Sequence, residues 1–244
     1  MSKLLKYELR KTSFVKVFFL LFTGLFEIVY LLSLIDNFRS EPLFLTAGVG
    51  LSMTAIFACL ICGLRSIDLL YRELNSKQSY MLFMTPRSSY QILGAKVLEN
   101  GLSLLMVWAF YMVLGALDLF LALVRKGVRF DIETMMQFRF GFADVTMMAK
   151  MMTIYLIAWF SVITAAYLAI IVQATLLNGR RGSMLISLLI FMGILSLFIG
   201  ISNCLIRQLA PSGLFGLFQA VYSLICAILF YLAGSYLMEK KLSV

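Results

Sequence analysis

The chain has no histidine. That removes imidazole general bases, Ser–His dyads and histidine-ligated zinc. Acidic residues are scarce too, 12 Asp and Glu against 21 Lys and Arg in 244 residues, and proline occurs only three times. Four cysteines are present. Cys59 and Cys62 make a CxxC spacing, but it stands inside an apolar run with no second ligand pair. They read as small packing residues, not as a redox or metal motif. No glycine-rich loop ends in Gly-Lys-Ser or Gly-Lys-Thr, the arrangement that cradles nucleotide phosphates. The chain is therefore expected to have no catalytic residues, no metal ligands and no cofactor of its own.

What is present is apolar. Hydrophobic residues make up 62% of the chain and charged residues 14%, with a mean hydropathy of +0.96. A soluble domain of this length needs far more polar surface. The reading is an all-α membrane protein, a single domain over residues 1–244 with six transmembrane helices. The spans are expected at about 17–35, 43–64, 101–124, 151–176, 184–206 and 214–237. The net charge of +9 lies at helix ends, where it selects topology, and nucleic acid is not an expected partner. With both termini inside, inner segments carry fourteen basic residues and outer segments seven. This asymmetry is expected to put the N- and C-termini in the cytoplasm, and the expected location of such a multi-pass protein is the plasma membrane.

Within this frame several residues stand out. Met1 to Lys11 is expected as a short amphipathic helix, with Lys3, Lys6 and Arg10 on one face. It reads either as an interfacial helix on the inner leaflet or as a basic flank that fixes orientation. Glu27 lies in the middle of the first span and Asp118 towards the outer end of the third, where a carboxylate is costly unless paired, protonated or facing a polar cavity. The second span carries Gly48, Gly50, Ala55, Ala58 and Gly63, which permit close helix approach. Arg125 to Lys150 alternates basic residues with phenylalanines and methionine pairs, as expected of a membrane-surface helix or turn on the outer side.

The most informative stretch is Arg65 to Lys96, RSIDLLYRELNSKQSYMLFMTPRSSYQILGAK. It is a long polar interval between two membrane-length runs, and lipid cannot solvate its charges or its turns. Its five basic residues place it on the cytoplasmic side. Lys77–Met84 is expected as a short helix with Tyr80, Met81, Phe83 and Met84 on its surface, too short to be stable alone in water. Either Thr85 caps the next helix with Pro86 at its first position, or Ser88 and Gln91 form a capping box.

The Asp at the end of the second span, the short helix ending in LFMTP, and the RSSYQILGAK that follows resemble the permease subunits of bacterial type-2 ABC exporters, the small six-helix kind. The resemblance covers the whole chain in helix count and loop size. It implies that Lys77–Met84 is a coupling helix seated in a groove of a separate ATPase. Tyr80, Met81 and Phe83 would dock there, with Arg72, Glu73 and Arg87 around the rim. It implies two copies of an ATP-binding subunit that hold ATP and Mg, and a second permease subunit, identical or homologous. Glu27 and Asp118 become candidates for lining a pathway in contact with a cationic substrate. The substrate class implied is amphipathic: a peptide antibiotic, a drug or a lipid-like molecule. Two other readings remain. A membrane enzyme would have to rely on an acid pair such as Glu27 and Asp118. A non-catalytic binding or anchor subunit of an uptake or sensing complex would not need the long polar interval.

Overall fold

The structure is a computed structural model describing residues 2–35, 41–75, 88–125, 142–177, 183–209 and 215–242. Six α-helices account for nearly all of them: α1 (Ser2–Ile35), α2 (Glu41–Asn75), α3 (Ser89–Arg125), α4 (Phe142–Leu177), α5 (Ser183–Leu209) and α6 (Phe215–Leu237), with a π-helical turn at Met238–Leu242. Each contains a stretch long and apolar enough to cross a membrane, the architecture of a multi-pass membrane protein.

The helices are longer than their apolar runs. α1 to α4 have 34 to 37 residues, about 50 Å at 1.5 Å per residue against a hydrocarbon core of about 30 Å. Two expectations change as a result. Met1 to Lys11 does not form a separate amphipathic helix, because residues 2–35 are one continuous helix. Phe142 to Lys150 is the start of α4 and not a separate surface helix or turn, and the rest of that stretch, 126–141, lies outside the described residues. In both places polar residues extend a membrane helix, since backbone hydrogen bonds continue past the bilayer without a break.

The helices pack as two units. One comprises Lys6–Arg65 and Glu99–Gly141, the other Met1–Leu5, Ser66–Leu98 and Phe142–Val244.

In the first unit α1 and α3 run parallel, with polar contacts at a nearly constant offset. Thr12 meets Glu99, 87 residues on; Thr23 meets Tyr111, and Tyr30 meets the Asp118 carbonyl, each 88 on. A fixed offset between parallel helices is the signature of a seam in register, here with seven-residue steps from Thr23 to Tyr30 and from Tyr111 to Asp118. α2 lies against α1 through Ala47, which is fully buried beside Tyr30 and Leu34. A methyl placed at Gly50 would overlap the Phe26 ring, so only glycine permits this approach. The buried stripe of α2 is Ala47, Gly50, Thr54, Ala58, Cys62 and Gly63, whereas Gly48 is exposed and Ala55 only partly buried.

In the second unit α4 is the central helix. Ile163, Tyr167, Ile170, Ile171 and Ala174 form a core with Leu70 and Leu74 of α2, Ile92 and Leu93 of α3, and Met238. Half of α4's most apolar window is buried, against 6% for those of α5 and α6. α6 reaches α4 at Gly234, where an added Cβ would be 3.2 Å from Ile171 Cδ1. α5 and α6 are joined by Tyr222, whose hydroxyl donates to the Phe198 carbonyl at 3.0 Å. Ser202 adds a hydrogen bond to Gln219, also at 3.0 Å.

Candidate functional site

The Arg65–Lys96 interval is described at both of its helical ends. Tyr80, Met81, Phe83 and Arg87, with the Lys77–Met84 helix, Thr85 and Pro86, lie outside the described residues. α3 begins at Ser89, and the Ser88 carbonyl accepts from Gln91 N at 2.9 Å and Ile92 N at 3.2 Å. Ser88 thus stands in the N-cap position.

The two helix ends are tied together. Lys96 Nζ lies 2.7 Å from Glu73 Oε2, with side-chain exposures of 2% and 10%. An ion pair this deep persists only with close geometry, since each charge alone would bear a desolvation cost of several kcal/mol. Glu73 is therefore turned into the bundle. Its neighbour Arg72 is exposed and paired along the helix with Asp68 at 2.9 Å. Beside the ion pair, the amides of Asn75 and fully buried Gln173 exchange two long hydrogen bonds of 3.4 Å. The hydroxyls of Ser66 and Tyr167 form a second polar tie from α2 to α4. Tyr231 of α6 donates to the Tyr90 carbonyl at 2.8 Å. The described end of α2 and start of α3 are thus anchored on α4 and α6 by polar contacts as well as by the core.

A second polar centre lies in the other unit. Glu99 Oε1 accepts from Thr12 Oγ1 and from Ser103 Oγ, both at 2.7 Å. Lys16 Nζ stands 3.6 Å from the same oxygen. Glu99 is 2% exposed.

The membrane-depth acids are brought together. The carboxyl groups of Glu27 on α1 and Asp118 on α3 are near enough to interact. As carboxylates both are acceptors only, and among the described residues Glu27 Oε2 and Asp118 Oδ1 are buried with no donor. Tyr30 serves the Asp118 backbone carbonyl at 2.9 Å, not its side chain.

The sequence singles out Glu27 with Asp118, but for Glu73 not the partner that holds it. Lys96 appears there only as a topology-setting base, and Lys16 and Glu99 are not linked. A lysine or glutamate just outside an apolar run is an ordinary helix flank. Nothing in its spacing signals a partner 83 residues away.

No protein-family model matches the chain, and neither a curated protein nor a solved structure is similar to it.

Proposed function

We propose that this chain is the membrane-spanning permease subunit of an ATP-driven ABC exporter, with hydrolysis carried out by a separate ATPase. The observation that carries the reading is the polar interval between the second and third spans, its helix ends joined by the buried Glu73–Lys96 pair. A transporter must convert a binding event in the cytosol into helix movement, and a short connector on a stiff base is suited to that task. In this reading the interval and both termini face the cytoplasm, in line with the excess of basic residues on that side. Tyr80, Met81 and Phe83 dock on the ATPase, Arg72 and Arg87 flank them, and Glu73 holds the base. Two permease subunits and two ATPase subunits complete the transporter, and ATP and Mg belong to the ATPase. Glu27 and Asp118 give a cationic group on an amphipathic substrate a place to bind.

The test is a gentle-detergent pull-down of the tagged chain from its native membrane, followed by mass spectrometry and an ATPase assay. A stoichiometric ATP-binding-cassette protein whose activity changes with the permease present is the expected result. A chain that purifies with no ATPase in contact would overturn the reading in favour of a non-catalytic membrane binding or anchor subunit.

A further inference from the structure

Lys16 stands at the start of the first apolar run. The nineteen residues 17–35 span about 28 Å as helix, close to the hydrocarbon thickness. Lys16 is thus held at headgroup level whichever way the chain is oriented. Its ammonium has three hydrogens to donate. Among the described residues the acceptor beside it is Glu99 Oε1, at 3.6 Å, beyond hydrogen-bonding distance. The reason is local: that oxygen already accepts from Thr12 and Ser103, which fill its two lone pairs. Glu99 lends Lys16 charge compensation but no hydrogen bond.

Lys16 also forms one end of a cleft of about 190 Å³ between α1, α2 and α3. Below it the walls are apolar: Phe19 and Leu20 of α1, Ala58 of α2, Met106 and Phe110 of α3. The small Ala58 leaves the room. The Tyr111 hydroxyl at the wall is already engaged by Thr23 and the Cys62 thiol is only a weak donor, so Lys16 is the charged group that can choose a ligand. Leu20 and Met106 are more than half exposed, so the cleft opens sideways towards lipid. Glu99 lies behind, with 3% side-chain exposure against 22% for Lys16, and an anion arriving from the lipid side meets the ammonium first.

We infer that this cleft seats an acyl chain of an anionic phospholipid whose phosphate is held by Lys16. The charge selects the headgroup, and the Phe19 and Phe110 walls select a lipid over a free phosphate. This site does not depend on the exporter reading.

The experiment is native mass spectrometry of the purified chain offered equal amounts of phosphatidylglycerol and phosphatidylcholine with matched acyl chains. The wild-type protein should retain phosphatidylglycerol over phosphatidylcholine by about fivefold, the contribution of one basic residue at an anionic surface. Lys16→Gln should abolish the preference and Lys16→Arg should keep it. Met106→Trp, at the partly exposed rim, should reduce total retention with folding intact, read from gel filtration. The double change Lys6→Gln, Arg10→Gln, at exposed bases of the same helix, should leave the preference unchanged. An undiminished preference in Lys16→Gln, or an equal loss in the Lys6, Arg10 variant, would overturn the site in favour of a diffuse basic surface. Displacement by soluble glycerol phosphate as readily as by a short-chain phosphatidylglycerol would reduce it to a free-anion contact and remove the acyl chain from the assignment.

Discussion

Tyr111 donates its phenolic hydrogen to Thr23, 2.6 Å away, because the Thr23 hydroxyl gives its own hydrogen to the Phe19 carbonyl at 2.7 Å. The direction of this bond follows from counting donors, and it makes Tyr111 the member that joins α3 to α1. Tyr111→Phe should therefore lose the interhelical bond and little else, costing roughly 0.6 to 1.7 kcal/mol in a membrane setting. Thr23→Val should cost a similar amount. Because both remove one bond, the double variant should be less destabilised than the sum of the two. Unfolding titrations in mixed micelles give the three values, and strict additivity would refute the pairing.

The Glu73–Lys96 pair predicts a larger effect. Lys96→Met leaves a buried carboxylate without its cation, and Glu73→Gln leaves a buried ammonium without its anion. Each should destabilise the protein by about 3 to 5 kcal/mol. The reversed pair, Glu73→Lys with Lys96→Glu, should recover part of that loss. Thermal unfolding by tryptophan or tyrosine emission measures it. Arg72→Gln, by contrast, breaks an exposed pair along one helix and should change stability by less than about 0.5 kcal/mol.

The exporter reading makes its own demand on Tyr80 and Phe83. Truncating one aromatic anchor at an interface costs roughly 2 kcal/mol. Each of Tyr80→Ala and Phe83→Ala should then weaken ATPase capture about thirtyfold in a titrated pull-down, with normal amounts of the chain in the membrane. Unchanged capture by the double variant would remove these residues from the docking surface.

Glu27 and Asp118 can be tested by charge alone. Glu27→Gln and Asp118→Asn keep shape and remove the negative charge. In the exporter reading, transport of a cationic substrate into inverted vesicles should fall on the order of tenfold, the weight of one charge-assisted contact, while a neutral analogue of the same size is carried as before. Equal loss for both substrates would make the pair a helix–helix contact and not a pathway contact.

Six membrane-length helices were legible from apolar run lengths, because hydrocarbon demands about twenty consecutive apolar residues and little else. Helix ends were less so. The α2 helix continues to Asn75 through Asp68, Arg72 and Glu73, since polar residues neither favour nor forbid further turns once a helix leaves the bilayer. The small residues of the second span pointed to close packing, but Gly48 faces outward while Ala47 is buried. A run with glycine and alanine on several faces does not disclose which face is used until a bulky neighbour such as Phe26 selects one. The polar centres were least visible. Lys16 with Glu99 and Glu73 with Lys96 are ordinary flanking charges by composition, and helix register in three dimensions makes them pairs.

The contact between Gly50 and Phe26 sets a rule for variation among relatives of this chain. Side-chain volume at these two positions should trade off. A lineage that replaces Phe26 by alanine or valine gains freedom to carry alanine or serine at position 50, and one that keeps the ring must keep the glycine. The two sites should therefore covary in any deep collection of related sequences, and a laboratory selection starting from Gly50→Ala should recover its first suppressors at position 26.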